Sequence, residues 1–315
     1  MDAIHTEALT KHYSVGFWRP RPYVALDSLS LQVERGEVFG FLGPNGAGKT
    51  TTLKLLMQLT FPTSGSAEIL GRPAGDVAVR RRIGYLPENP SFYDNVSGEE
   101  LLAYFASLFG YRGQERKARV ARLLDEVGLG AERRLQLRKY SKGMIQRVGL
   151  AQALINDPEV VFLDEPMSGL DPLGRRQVRD IILGLRDRGT TVFFSSHILS
   201  DAEAICSRVA IVVAGTLVAA GSLAEMVPFQ IKGWELTVAQ LTDAAVQSLA
   251  ALGVASTRIS ADRHQIRLPA SMSPDDVVAR VAAAGGQLVS LNPVRDTLED
   301  FFLAQVERSG TRAFD

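Results

Sequence analysis

Short runs mixing apolar and polar residues at 4–9 and 25–33, and a wholly apolar run at 38–42, mark the first forty positions. Each run reads as a strand. Glu34-Arg35-Gly36-Glu37 reads as the turn between the last two. Tyr13 falls between the first two, ahead of a loop from Phe17 to Pro22. From 51 to 59 the apolar spacing becomes helical. A strand at 66–70, a short basic helix at 76–82 and a strand at 83–86 follow, broken by Pro87-Glu88-Asn89-Pro90. Ser97 and Glu100 form a capping-box pattern, which predicts a helix reaching Phe109 with Leu101, Leu102, Phe105 and Leu108 on one face. A second helix, 114–127, turns Val120, Leu123, Leu124 and Val127 inward, and a third spans 145–155. Val160-Val161-Phe162-Leu163 is apolar throughout, the pattern of a strand buried on both faces. A helix over 172–186 and a strand over 191–194 come next.

Strands and helices alternate with several buried strands, which implies an α/β sheet. The helical residues at about 89–157 read as an insertion into it. The composition shifts near Pro228, so residues 1–227 and 228–315 are expected to form separate domains. The second reads as strand, helix, strand, helix, strand, helix, a small α+β domain. Leu241, Ala245, Leu249 and Leu252 share one stripe; Ser273-Pro274 caps the next helix; Asp296 with Glu299 caps the last.

Composition narrows the function classes. The chain has 315 residues, 46% of them apolar, enough for two packed domains. Lys plus Arg and Asp plus Glu each number 35, so no broad nucleic-acid-binding face is expected. Cys206 is the single cysteine, which excludes an intrachain disulfide and fits a reducing compartment. The first residues show no basic-then-apolar signal pattern. The most apolar region, 209–227, is interrupted by Gly215, Thr216, Gly221 and Ser222 and carries Glu225. It reads as two strands and a helix start, so a membrane role would run through a partner.

The chemistry begins at Gly43-Pro44-Asn45-Gly46-Ala47-Gly48-Lys49-Thr50-Thr51. This stretch follows a strand and opens a helix, the context of a phosphate-binding loop. Small residues let several backbone N–H groups turn onto one polyphosphate, and the helix N-terminus adds partial positive charge. Lys49 is placed to neutralise the outer phosphates and the Thr50 hydroxyl to ligate Mg²⁺. Downstream, the buried strand ends in Asp164-Glu165. Asp164 can hold the metal's coordination shell, and Glu165 can orient or deprotonate the attacking water. His197, just past another strand, can reach the outer phosphate, and the Tyr13 ring can stack on a base.

Together these residues resemble the ATP-binding subunit of an ABC transporter, over residues 4 to about 226. The signature motif is recognisable in Tyr140-Ser141-Lys142-Gly143-Met144 followed by Gln146-Arg147, departing from the usual Leu-Ser-Gly-Gly-Gln. Ser168-Gly169-Leu170-Asp171 matches the D-loop, His197 the switch histidine and Tyr13 the A-loop aromatic. The usual Q-loop glutamine is Glu88, a carboxylate that can approach Mg²⁺ but adds negative charge beside the phosphates.

The resemblance implies a P-loop NTPase cassette: a RecA-like α/β core, an antiparallel β subdomain and a helical subdomain. It implies ATP and Mg²⁺ as ligands. It also implies head-to-tail pairing with a second copy or a related cassette, so that Ser141, Lys142, Gly143, Met144 and Asp171 act on the partner's nucleotide. Permease subunits would dock near Glu88 and hold the protein at the cytoplasmic face of the cell membrane. Glu88 and the tail around residues 294–302 resemble the exporter branch, with the C-terminal domain as a dimer brace or a ligand sensor. A soluble ABC protein acting on ribosomes or DNA is the alternative. Such proteins usually have two cassettes or a coiled-coil insertion, neither of which this chain carries.

Overall fold

The computed structural model describes residues 2–16, 18, 21–227, 231–250 and 254–309. They fall into two compact units: the chain up to Leu223 with the residues from Phe302 onward, and Ala224–Phe301. Pro228 and Gln230 of the expected boundary, Phe17, Arg19 and Pro20 of the expected loop, and Leu252 of the helical stripe lie outside the described residues.

In the first unit, β1 (Asp2–Val15) and β2 (Arg21–Glu34) form a long antiparallel hairpin. The apolar pattern marked only its inner ends, because toward the tip most side chains are exposed and the alternation fades. Tyr13 therefore lies inside β1, directly opposite Tyr23. β3 (Val38–Leu42) is buried at every position and leads into α1 (Lys49–Leu56). β4 (Ser64–Ile69) and β5 (Arg72–Pro73) complete an antiparallel sheet of order β2-β1-β4-β5. α2 (Val77–Arg80), capped by Asp76, precedes β6 (Ile83–Leu86).

Three helices follow: α3 (Gly98–Leu108), α4 (Gly113–Glu126) and α5 (Lys142–Ala153). Both halves of the Ser97–Glu100 capping box are made. Val120, Leu123, Leu124 and Val127 are buried as expected, but the α3 stripe loses its cover at its C-terminal end, where Leu108 is 63% exposed. The sheet resumes with β7 (Val160–Asp164), α6 (Pro172–Asp187), β8 (Thr191–Ser196), α7 (Leu199–Ile205), β9 (Arg208–Val213) and β10 (Thr216–Ser222). Its order is β10-β9-β3-β8-β7-β6, parallel except for β10. The register aligns Phe39, Phe193 and Phe162 across three neighbouring strands. Their ring centroids are 5.7 Å and 5.9 Å apart, within the attractive range for aromatic pairs. This row anchors the core between the two sheets and α1, and it holds the ends of β3, β7 and β8 level.

α8 (Leu223–Met226) straddles the unit boundary. Then come β11 (Ile231–Ala239), α9 (Asp243–Ala250), β12 (Ala255–Arg258), β13 (Arg263–Pro269), α10 (Pro274–Ala283), β14 (Gln287–Arg295) and α11 (Leu298–Ser309). The expected single strand between the two helices is a hairpin, β12–β13, folded at residues 259–262. The antiparallel order β12-β13-β11-β14 makes this unit a split βαβ fold of the ferredoxin type, with Leu236, Val238, Ile266, Leu268, Val277 and Val281 in its core. The cap of α11 is Thr297 with Asp300, not Asp296 with Glu299. Asp296 instead pairs with Lys232 at 2.6 Å, which takes its carboxylate away from the helix.

Candidate active site

The loop after β3 is shaped by close approaches. A Cβ on Gly43 would stand 2.1 Å from the Val212 carbonyl oxygen. Gly48 has φ +101°, and a Cβ there would meet the Ala25 carbonyl oxygen at 2.3 Å. Neither position admits a side chain. The loop is thereby pressed against the backbones of β9 and β2. Lys49 Nζ donates to the carbonyls of Gly43 at 2.7 Å and Pro44 at 3.1 Å.

The ends of β7 and β8 bring the acidic groups to the same place. Asp164 is 1% exposed. Its Oδ1 accepts from Ser195 Oγ at 2.6 Å and from Thr50 Oγ1 at 3.2 Å. The next residue, Glu165, has φ +48°, a left-handed conformation unusual for a side chain of this size. Its N–H donates to Ser195 Oγ at 3.0 Å, which holds the strained turn. Glu165 Oε2 lies 2.8 Å from His197 Nδ1, and Oε1 lies 3.2 Å from Lys49 Nζ. The latter contact is an ion pair without hydrogen-bond angles, so Oε1 has a charge partner but no donor.

These groups edge a cavity of about 520 Å³, at the C-terminal ends of the parallel strands where α/β sheets bind ligands. Asn45, Gly46, Gly48, Lys49, Thr50 and Thr51 line one side; Glu88, Glu165 and His197 line another. Nearby in β6, the Tyr85 hydroxyl is pushed up to about 12 by burial and by the negative charges of Asp164 and Glu88.

Tyr13 does not line the cavity; its cross-strand partner Tyr23 does. Ser141, Lys142, Gly143, Met144 and Asp171 do not line it either. The Ser141 hydroxyl caps α5 by accepting from Met144 N at 3.3 Å, and Asp171 caps α6. Lys142 lies along Gly169, where a Cβ would stand 2.1 Å from Nζ, so the signature and D-loop stretches pack together in one chain. The sequence does not single out Tyr23 or Ser195, and Ser168, matched to the D-loop, lines the cavity of its own chain. For Ser195 there was a signal, a polar Ser195-Ser196 pair ending an apolar strand.

Among the described residues, no helix is long and apolar enough to cross a membrane. Residues 26–168 match the family model described as ABC transporter. An uncharacterized ABC transporter ATP-binding protein of Synechocystis sp. is 45% identical over 98% of this chain and 86% of its own. The bacitracin transport ATP-binding protein BcrA of Enterococcus faecalis is 34% identical, over 95% of this chain and 94% of its own. The dimeric structure of a bacterial ABC transporter cassette superposes with a TM-score of 0.64 at 25% identity, covering 70% of this chain and 98% of that one. With the glycine-rich loop, Glu165 and His197 lining one cavity and buried Asp164 bonded to Thr50 beside it, this chain belongs to the ABC transporter ATP-binding proteins, the subunits that bind and hydrolyse ATP.

Proposed function

We propose that this subunit drives export through separate permease subunits, pairing head to tail with a second copy or a related cassette around two ATP molecules. The observation that carries it is the meeting of Lys49, Thr50, Glu165 and His197 at one cavity, with Asp164 bonded to Thr50. Ser141–Met144 and Asp171 lie outside that cavity, which supports their acting on a partner's nucleotide. The dimeric state of the similar cassette supports the pairing, and the bacitracin transport relative supports an exporter.

Thr50 and Asp164 supply hard oxygens within hydrogen-bond distance, a donor set suited to Mg²⁺. Mg²⁺ is usually held by one or two carboxylates together with substrate phosphates. No cluster of three or more His, Cys, Asp and Glu among the described residues makes a cage of its own, which agrees with that mode. When bound, the ion neutralises charge on the phosphates. Lys49 draws the outer phosphates toward the loop. Glu165 accepts a proton from, or orients, the attacking water, and His197 holds Oε2 of that carboxylate in place. Tyr23 supplies the ring for the base. Docking on permeases places the protein at the cytoplasmic face of the membrane.

The test is Glu165→Gln. With MgATP this variant is expected to bind nucleotide, hydrolyse it about 10²–10⁴-fold more slowly and accumulate as a dimer in light scattering. Near-normal turnover, or a monomer at saturating MgATP in the presence of its permease, counts against the reading. Pull-down from detergent extracts should recover a multi-span protein rather than ribosomes or nucleic acid.

A further inference from the structure

We infer that Ser195 is a positioning residue whose hydroxyl couples the carboxylate of Asp164, on the metal side of the site, to the catalytic residue Glu165; this rests on the hydrolytic reading of Glu165 given above.

β8 is buried at all six positions, and Ser195 is 0% exposed. A hydroxyl in such a place is costly unless it is bonded. Its partners fix where its one proton goes. An ionised carboxylate only accepts and a backbone N–H only donates. Ser195 Oγ therefore gives its proton to Asp164 Oδ1 at 2.6 Å and accepts the Glu165 N–H at 3.0 Å. The first distance is that of a charge-assisted bond. Thr50 Oγ1 donates to the same Asp164 oxygen at 3.2 Å. Thr50, Asp164, Ser195 and the Glu165 backbone thus form one chain of hydrogen bonds, running from the start of α1 to the end of β7.

Neither neighbour needs the hydroxyl merely to be satisfied. The Glu165 N–H also reaches the Ser195 carbonyl oxygen at 3.2 Å, and Asp164 Oδ1 keeps Thr50. What the hydroxyl adds is direction. Two donors from different elements, α1 and β8, meet Oδ1 and hold the carboxylate against rotation. At Glu165 the backbone stands at φ +48°, a conformation that persists in a non-glycine residue only where the surroundings hold it. Ser195 holds that backbone, while His197, two positions on, meets Glu165 Oε2 at 2.8 Å. Both ends of Glu165 are therefore set by one segment, 195–197, whose register on β7 pairs Ser195 with Asp164. Any movement of Asp164 on loading of the site reaches the Glu165 backbone through two hydrogen bonds.

The experiment uses full chains carrying Ser195→Ala, Ser195→Cys, Glu165→Gln and Ser195→Ala with Glu165→Gln. Steady-state hydrolysis is titrated with MgATP and with Mg²⁺, fluorescent-ATP binding is measured in EDTA and in Mg²⁺, and denaturant midpoints establish that each variant is folded. Misplacement of a reacting group by about 1 Å lowers rates by roughly 10²-fold, so kcat of Ser195→Ala at saturating Mg²⁺ should fall about 10- to 100-fold. Partners of metal-ligating carboxylates matter on a similar scale, so the Mg²⁺ needed for half-maximal nucleotide binding should rise by about tenfold. Affinity for nucleotide in EDTA should change less than about twofold, since no phosphate contact is lost. At saturating Mg²⁺ in the Glu165→Gln background, Ser195→Ala should lower the residual rate less than about threefold, because the serine acts on turnover through Glu165. Unaltered kcat, unaltered Mg²⁺ dependence, a fall matched by lost affinity in EDTA, or losses that multiply in the double variant would each overturn the proposal. If Ser195→Ala fails to fold, Ser195→Cys, close in size and a weak donor, carries the same test. Normal turnover in Glu165→Gln would instead remove the hydrolytic reading itself, and the coupling with it.

Discussion

Lys49 Nζ stands 3.2 Å from Glu165 Oε1, and both side chains are only 7% exposed. The residues come from different strand ends, yet each is the other's charge partner in a nearly dry place. The same ammonium also serves two loop carbonyls, so incoming phosphates compete for a cation that is already engaged. On the function proposed above, release of Glu165 and capture of phosphate would be one exchange.

Removing Lys49 alone leaves Glu165 Oε1 buried without its charge partner. Lys49→Ala is expected to lose about 3–5 kcal/mol of stability, the usual effect of breaking a buried pair on one side, along with most nucleotide affinity. Adding Glu165→Gln to that variant should restore part of the stability. Urea denaturation of both variants checks this; an unchanged midpoint for Lys49→Ala, or tight ATP binding by it, contradicts the pairing.

The cavity wall carries Tyr23 while Tyr13 sits opposite it on β1, with Lys11 Nζ 4.9 Å from the Tyr13 ring centre. Base stacking is worth about 1–3 kcal/mol, so Tyr23→Ala should weaken ATP binding roughly 5- to 150-fold. Tyr13→Ala should weaken it less. Titration with a fluorescent nucleotide ranks the two, and a larger loss for Tyr13→Ala would return the A-loop role to that residue.

Glu88 adds a carboxylate to a cavity that already holds Glu165 and borders Asp164. Glu88→Gln removes one negative charge and should shift the Mg²⁺ dependence of turnover by severalfold. A superimposable Mg²⁺ titration would leave Glu88 as a residue that senses the permease and does not touch the metal.

A pH prediction concerns the opposite end of the sheet. Hydrogen bonds from Arg82, 2.7 Å at Nη2, hold the Glu159 carboxyl below its ordinary value of about 4.5 against the effect of burial. The folded chain therefore binds fewer protons at this site than the unfolded one. Its contribution to stability is complete above the unfolded pKa and is lost as pH falls through the folded value. Glu159→Gln should lower stability at neutral pH, and the difference from the parent should vanish in acid. A constant difference from pH 7 down to pH 3, measured by denaturant midpoints, would show that the pair does not act through charge.

The order and chemistry of the site were legible in the chain because its motifs are local. The phosphate loop and the Asp164-Glu165 strand end each need a few adjacent residues of fixed type, and the signature stretch is recognised by its resemblance to the family's motif. Helix starts were legible for the same reason, as at Ser97 with Glu100, where the partners sit three positions apart. What the chain could not disclose are relations between distant segments. Tyr23 replaces Tyr13 at the cavity because of hairpin register, and a register is a property of two strands, not of either one. Ser195 supports both Asp164 and Glu165 because the parallel pairing of β7 and β8 levels their ends. The sequence predicts one strand where β12 and β13 pair, because residues 259–262 carry no Gly or Pro to mark the turn. Local composition determines which chemistry a segment can do; packing, which sums contacts among residues far apart in the chain, decides which side chains share the cavity.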